Sequence, residues 1–204
     1  MNRTVKEWLH KNMGKPSEQI CPIRVYKHPY SLDREKMARL FKGFEFKKGA
    51  EIGVRRGEFS EYMLKVNPDL NLTLVDPWWT EDITASRRGE KRQSADYENC
   101  MNRMKQYGSR VQILKMTSMD AINQIPDNSL DFVYIDGCHE FDYVMRDVIE
   151  WARKVKPGGI VSGHDYYRFK NAGVVEAIDA YTKMHRINEW FLTNERAPSW
   201  FWAK

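Results

Sequence analysis

Two acidic residues and two glycines stand where short apolar runs end. Glu51 and Gly53 lie at the end of the first run and Gly57 follows it, and glycines there allow a ligand to approach the backbone closely. Asp76 ends the next run, 25 residues after Glu51, where a carboxylate can accept hydrogen bonds from ribose hydroxyls. Arg55 occupies the place of the middle glycine in the Gly-x-Gly-x-x-Gly pattern that binds pyrophosphate. The pattern favours a ligand without phosphate, and a plain strand-to-helix turn is the alternative.

A second group of polar residues follows the later apolar runs. Asp136 and His139 come after the fourth run, and His164 and Asp165 come after the fifth. Neighbouring parallel strands lie about 4.8 Å apart, and their carboxyl ends open into the same crevice. We therefore expect Asp136 and Asp165 to lie close enough to share one cation. The imidazole of His139, with an unperturbed pKa of about 6.5, can exchange a proton there.

These residues need a parallel sheet beneath them, and the hydrophobic pattern predicts one. Apolar runs alternate with amphipathic stretches from about Lys48 to the C-terminus, as in a βαβ fold. Five runs rich in aliphatic or β-branched residues are predicted strands: 50–53, 72–76, 111–115, 132–136 and 159–163. Helical spacing predicts a crossover helix over 141–155, which ends at a turn over 156–159, and another helix over 174–181.

The two ends of the chain complete the predicted architecture. Aromatic segments at 190–193 and 200–202 predict a β-hairpin that ends the sheet. Segments 4–13 and 32–41 have the pattern of helices, and 21–30 has that of an irregular segment. The expected fold is an α/β three-layer sandwich with a mostly parallel sheet and a C-terminal antiparallel hairpin. We expect an N-terminal helical cap or extension over residues 1–45 and a single ligand-binding domain over 46–204.

Composition limits the class of protein further. With 204 residues and 42% hydrophobic content, the chain suits one compact domain. No run approaches the roughly 18 apolar residues of a membrane helix, and no signal-peptide core follows the N-terminus, so a cytoplasmic location is expected. Cys21, Cys100 and Cys138 fit neither a disulfide framework nor a Cys-x-x-Cys metal site. A formal charge of +5 is compatible with anionic partners without requiring them.

Taken in order, these motifs resemble those of the class I S-adenosylmethionine-dependent methyltransferases, from about Gly49 to Lys204. The segment from Ser118 to Asp120 is similar to the family's adenine-side segment, and 156–159 is similar to its turn before the fifth strand. The resemblance implies the Rossmann-like class I fold and S-adenosylmethionine as cofactor, with 46–204 as the methyltransferase domain. It implies these cofactor-binding residues: Glu51, Gly53, Arg55, Gly57, Asp76, Trp78, Ser118, Met119 and Asp136.

Within that class, residues 134–139 and 163–166 resemble a subgroup related to metal-dependent O-methyltransferases, including catechol and macrolide-sugar methyltransferases. The resemblance implies a small hydroxylated acceptor and His139 as general base. It also implies that a divalent cation is held by Asp136, His164 and Asp165. Because His164 stands where those enzymes carry a carboxylate, and Mg²⁺ prefers oxygen ligands, manganese, iron or zinc suits this set better. A metal-free crevice with a hydrogen-bonded His164 is the alternative.

The basic, aromatic-flanked segment 78–106 has two interpretations, a substrate lid or a solvated loop that leads into a helix from about 95 to 107. Trp78 either lies against the adenine or packs in the core. The same segment would suit N-methylation or nucleic-acid methylation, since it offers phosphate contacts and stacking.

Two hypotheses other than methyl transfer stay open. Two histidines with one carboxylate suit a metal-dependent oxygenase. A catalytically silent cofactor-binding protein is the other reading. The expected partner is a small-molecule acceptor; nucleic acid is not indicated by a recognisable module, no membrane is expected, and a homo-oligomer is compatible with the sequence.

Overall fold

The parallel sheet expected beneath the motifs is present. The computed structural model describes residues 4–13, 23–24, 32–78 and 90–204. The strands in those ranges are Ile23–Arg24 (β1), Lys48–Ile52 (β2), Asn71–Val75 (β3), Val111–Leu114 (β4), Leu130–Ile135 (β5), Val155–Gly163 (β6), Phe191–Leu192 (β7) and Trp200–Ala203 (β8). They form one sheet in the order β1-β7-β8-β6-β5-β2-β3-β4. The strands from β4 to β6 in this order are parallel, and β8 is antiparallel to β6 and β7.

Helices cover both faces of the sheet. The α-helices of the described ranges are Val5–Met13 (α1), Arg34–Gly43 (α2), Glu58–Val66 (α3), Glu90–Met104 (α4), Ser118–Ala121 (α5), Phe141–Lys154 (α6) and Val174–Met184 (α7). Helices α1 to α4 contribute to the core on one face, and α5 to α7 to the core on the other. Along β5, Phe132 and Tyr134 face the first core, whereas Val133 and Ile135 face the second. The predicted three-layer α/β sandwich is therefore confirmed. Among the described residues, no helix combines the length and apolar character needed to cross a membrane.

The predicted parallel strands are confirmed, with small shifts at their carboxyl ends. The predictions placed Gly53, Asp76 and Asp136 inside strands, but β2, β3 and β5 each end one residue earlier. The hydrophobic pattern misplaces these ends because it does not record where the backbone leaves the sheet. All three residues belong to the loops at the sheet edge, where the candidate site lies.

The turn predicted at 156–159 is instead part of a strand. β6 begins at Val155, directly after α6. Leu130 pairs with Val155. The next pair along the two strands is Phe132 with Ile160, so the register shifts between the two pairs. The proline and glycines that predicted a separate turn form an irregular bulge within β6.

The C-terminal hairpin is confirmed, but it does not end the sheet. β7 and β8 are antiparallel, and β8 lies between β7 and β6. β1 pairs in parallel with the outer side of β7. Part of the segment predicted to be irregular, 21–30, is thus a strand, and the remainder of that segment lies outside the described residues.

Helix α2 is fixed to the sheet by its own apolar face and by a capping side chain. The Asp33 carboxylate accepts a hydrogen bond from the Lys36 backbone N–H at 2.7 Å, which caps the helix. Met37 is fully buried, and the Phe41 ring stacks on Phe132 of β5 with centroids 4.1 Å apart. Both N-terminal helices agree with the predicted ones, whereas the division into 1–45 and 46–204 stays a prediction.

Shortening a buried methionine of α2 should test how strongly this helix is bound. We expect Met37→Ala to lower the free energy of unfolding by about 2–5 kcal/mol, the usual cost of a cavity in a core. Met184→Ala, at a side chain 78% exposed on α7, is the matched control and should change it by less than about 0.5 kcal/mol. Urea denaturation measures both; equal effects would contradict the packing described for α2.

Candidate active site

Loops that follow adjacent strands lie side by side at one edge of the sheet. Each loop continues the hydrogen-bond ladder of the sheet for one residue before it diverges. The Gly53 N–H donates to the Val75 carbonyl (2.8 Å), the Asp136 N–H to the Ile52 carbonyl (2.7 Å) and the His164 N–H to the Ile135 carbonyl (3.0 Å). The loops after β3, β2, β5 and β6 are therefore held in strand order. A ligand laid across this edge meets all of them, as is usual at the carboxyl ends of parallel strands.

The loops after β2 and β5 approach each other so closely that Gly53 cannot carry a side chain. A Cβ at Gly53 would lie 2.1 Å from the Asp136 carbonyl oxygen and 2.6 Å from Gly137 Cα. Its φ of +89° is also a conformation that other residues rarely adopt. This glycine was predicted for close approach of a ligand; the structure shows that it also allows close approach of the neighbouring loop.

Glu51 is a buried acid directly below this contact. Its side chain is 2% exposed and accepts a hydrogen bond from the Ser60 hydroxyl. Burial raises the pKa of Glu51 to about 8, against the opposing effect of Ser60. The carboxyl group is therefore mainly protonated at neutral pH, and it can donate a hydrogen bond as well as accept one.

Asp76 ties the loop after β2 to the loop after β3. One carboxylate oxygen accepts from the Arg55 backbone N–H at 2.8 Å, and the other accepts from Trp78 N–H at 2.7 Å. Arg55 has a φ of +56°, and its side chain extends to Asp96 of α4 at 3.5 Å. The Trp78 ring is 3% exposed, and its indole N–H donates to the Arg55 carbonyl at 2.6 Å. Of the two alternatives for Trp78, the structure shows core packing; contact with a ligand stays a prediction.

The predicted adenine-side residues lie on a polar network beneath the sheet edge. The Ser118 hydroxyl donates to Asp147 at 2.5 Å and accepts from the Trp151 indole at 2.7 Å. Burial raises the pKa of Asp147 to about 6. Because the Ser118 hydroxyl has both partners within the protein, it positions the loop, and its neighbour Met119 packs against the same core. Sequence patterns did not single out Asp147, since a lone acid on an amphipathic helix is usually exposed.

The four predicted acid and histidine side chains come together after β5 and β6. His139 Nε2 lies 2.8 Å from an Asp165 oxygen and 3.9 Å from Asp136 Oδ1. His164 Nδ1 lies 3.1 Å from the other Asp165 oxygen and 3.7 Å from the same Asp136 Oδ1. The expectation that the two carboxylates lie close together is confirmed, and Asp165 has an imidazole on each oxygen.

The geometry of His139 fits a cation as well as it fits an ion pair. Its Nε2 is buried and has no hydrogen bond of acceptable geometry among the described residues, although an Asp165 oxygen is 2.8 Å away. A nitrogen and an oxygen that are close but not aligned with each other can both point at a third atom. Ligand atoms of Asp136, His139 and Asp165 lie within 4.8 Å of one another. This compact set contains His139, the predicted base, rather than His164, the predicted ligand, and both assignments stay predictions.

The carboxylates also control the protonation of the histidine. Asp136 and then Asp165 raise the pKa of His139 to about 9. Burial acts to raise the pKa of Asp165, but His139 and His164 hold it well below its usual range. His139 is therefore protonated at neutral pH unless a competing cation displaces the proton, and a general base at this position has to lose that proton first.

Arg34, the first residue of α2, also lies at this site and was not predicted. Its Nη1 donates to Asp136 Oδ2 at 3.3 Å, on the oxygen opposite the histidines. Its guanidinium lies over the Phe59 ring, 4.9 Å from the centroid. A single arginine 17 residues before Glu51 belongs to no spaced motif, so the sequence gives no signal for it beyond the start of a capped helix.

Comparison with known protein families identifies the chain. Residues 50–166, more than half of its length, match a family described as "Methyltransferase domain". The chain belongs to this methyltransferase family. The match spans the loops after β2, β3, β5 and β6 and ends at Tyr166, just beyond the acid and histidine cluster. Arg34 and the N-terminal helices of this methyltransferase lie outside the matched segment.

Individual relatives are distant. An uncharacterized protein y4gI of Sinorhizobium fredii is 31% identical over 87 residues, which are 43% of this methyltransferase and 9% of that longer protein. An O-methyltransferase from Bacillus cereus in complex with SAH has a TM-score of 0.62 at 12% identity, over 88% of this chain and 83% of its own. The O-methyltransferase TomG from Streptomyces achromogenes, in complex with SAM, has a TM-score of 0.57 at 14% identity, over 90% and 83%. At such identities the likeness establishes the fold.

A single methyl group should test the contact between the loops after β2 and β5. We expect Gly53→Ala to lower the free energy of unfolding by about 2 kcal/mol or more, because the new Cβ meets the Asp136 backbone at a positive φ. Gly43→Ala, where no atom lies within 4 Å of the added Cβ, is the control and should be close to neutral. Thermal melting compares them; a neutral Gly53→Ala would show that the loops can separate at little cost.

Proposed function

We propose that this methyltransferase transfers a methyl group from S-adenosylmethionine to a hydroxyl group of a small acceptor, a sugar or a natural-product-like molecule, with the assistance of a divalent cation. The observation that carries the proposal is the placement of Asp136. This residue lies next to the glycine loop after β2 and also contributes to the acid and histidine cluster after β5 and β6. A methyl donor and a hydroxyl acceptor can therefore meet at one edge of the sheet.

The cofactor half of the site suits a nucleoside that carries no phosphate. Asp76 presents its carboxylate after β3, the position at which an acid can accept hydrogen bonds from ribose hydroxyls. Gly53 keeps the floor of the crevice free of side chains. The solved structures that share this fold include complexes with SAM and SAH, which supports S-adenosylmethionine as the cofactor here.

The acceptor half suits a hydroxyl group that has to lose a proton. Asp136, His164 and Asp165 offer two oxygens and one nitrogen for a divalent cation, since His164 Nδ1 lies 3.7 Å from Asp136 Oδ1 and 3.1 Å from Asp165 Oδ1. When bound, such a cation supplies a Lewis acid that lowers the pKa of a hydroxyl. His139 is the group placed to accept that proton, and the Asp165 carboxylate, 2.8 Å from Nε2, stabilises the protonated ring. O-methyltransferases among the proteins of similar fold support a hydroxyl acceptor.

The other readings have less support. A histidine and carboxylate oxygenase would need its site on a different architecture, because here the residues sit on a doubly wound sheet of a methyltransferase family. Methylation of nucleic acid or of nitrogen rests on segment 78–106, of which 79–89 lies outside the described residues. The helix predicted within that segment is present as α4. A cytoplasmic location and a homo-oligomeric state stay predictions.

Calorimetric titration with S-adenosylhomocysteine (SAH) should test the cofactor. We expect micromolar binding by the wild-type protein and binding at least about tenfold weaker by Asp76→Ala, since the ribose loses a charged acceptor. Asp69→Ala, at an exposed acid at the opposite end of β3, is the control and should bind like the wild type. Wild-type protein that does not bind SAH under any metal condition would refute the proposed function.

Metal removal and a histidine variant should test the acceptor half. We expect chelation to abolish methyl transfer to a hydroxylated acceptor and added manganese to restore it, with SAH binding retained. His139→Ala should bind SAH normally and transfer methyl groups about 10²-fold more slowly, whereas His185→Ala, at a residue stacked on Tyr181 of α7, should not change the rate. Full activity after exhaustive chelation would exclude the metal, and an unchanged rate in His139→Ala would exclude the base.

A further inference from the structure

Arg34 brings a positive charge into the cofactor half of the site from outside the matched methyltransferase segment. It is the first residue of α2, and its side chain is about one third exposed. Phe59 lies beneath the guanidinium, and Asp136 Oδ2 accepts from Nη1 at 3.3 Å. The two contacts fix the plane and one edge of the guanidinium, so its orientation is set before any ligand arrives.

The surroundings of Arg34 keep it charged. Burial acts to lower its pKa, but Tyr134, Asp136 and Glu51 together raise it above its usual value. Two further arginines near the loop after β2 are directed elsewhere, since Arg55 and Arg56 both pair with Asp96 of α4.

The order of the loops places Arg34 near the amino-acid end of the cofactor. If the ribose lies at Asp76 after β3, and the methyl group faces His139 and Asp165 after β5 and β6, the sulfur has to lie over β2 and β5. The methionine chain of the cofactor leaves from that sulfur and ends in a carboxylate. Asp136, which Arg34 contacts, follows β5, one strand away from β2.

A guanidinium is suited to binding the carboxylate of the cofactor, because it is planar, has five N–H donors and can donate two parallel hydrogen bonds to the two carboxylate oxygens. Nη1 donates to Asp136, and the guanidinium also has a hydrogen bond with Tyr134. The donors that these two contacts do not use can hold a second carboxylate while Asp136 retains the first. An anion without such a partner would lie next to the Asp136 carboxylate, where like charges are unfavourable.

We infer that Arg34 binds the carboxylate of the methionine moiety of S-adenosylmethionine, and this inference rests on the proposed function. Arg34 is then a binding residue supplied by the N-terminal helix pair to a site otherwise built by the core domain. It makes the protein selective for cofactors that carry the complete amino-acid group.

Paired ligands test this contact directly. SAH and its decarboxylated analogue, S-adenosyl-3-thiopropylamine, differ in the carboxylate alone, and calorimetry gives the dissociation constant of each for the wild-type protein, Arg34→Gln and Arg34→Lys. We expect Arg34→Gln to weaken SAH binding by about 10- to 100-fold, the range for a lost charge-assisted contact. Binding of the decarboxylated analogue should stay within about twofold, and Arg34→Lys should weaken SAH binding less than Arg34→Gln does. Arg39→Gln, at an exposed arginine of the same helix over the Tyr62 ring, is the control and should leave both ligands unaffected.

The outcomes separate this inference from the proposed function. Wild-type protein that binds neither ligand overturns both. If the wild-type protein binds SAH, and Arg34→Gln weakens the binding of both ligands by the same factor or of neither, the role of Arg34 is overturned and the proposed function stands. If Arg34→Gln does not fold by thermal melting, the comparison of wild type with Arg34→Lys decides, because the inference requires a larger change for SAH than for the decarboxylated analogue.

Discussion

The backbone contact between Gly53 and Asp136 determines how the two halves of the site meet. A carbonyl oxygen that would lie 2.1 Å from an added Cβ leaves no space for a side chain, so the loops after β2 and β5 share one surface. That contact continues the ladder in which Asp136 N–H donates to Ile52. Because both loops extend a rigid parallel sheet, the glycine side and the acid and histidine side are set at a fixed separation, as transfer between two bound molecules requires.

Several acidic groups lie around that contact, and the surroundings of each determine its charge in a different way. Glu51 and Asp147 are buried, and burial raises the pKa of each, to about 8 and about 6. Asp165 stays ionised because an imidazole lies on each of its oxygens. Asp76 uses both oxygens to hold loop N–H groups. A carboxyl group thus serves as a buried hydrogen-bonding group, as a counter-ion or as an acceptor that holds two loops together, depending on what surrounds it.

Much of this arrangement follows from the sequence, because strand ends are marked by a change from apolar residues to glycine or acid. That change located Glu51, Asp76, Asp136 and Asp165, and parallel pairing then required their loops to be neighbours. The sequence could not show that 156–159 bulges within β6, since proline and glycine mark a turn and a bulge alike. Nor could it show Arg34, whose place depends on how α2 packs against β5, a contact between segments almost a hundred residues apart.

The two oxygens of Asp136 face different partners, and this has a thermodynamic consequence. Oδ2 receives Arg34, and Oδ1 faces His139 and His164. A carboxylate shared in this way couples its two neighbours: when Arg34 also donates to a second anion, more of the negative charge of Asp136 is available to the histidine side. On the proposed roles, occupation of the cofactor side strengthens the hold on a cation at the histidine side. By reciprocity, the cation strengthens cofactor binding by the same factor. Such linkage favours an ordered assembly, with donor and cation in place before the acceptor enters.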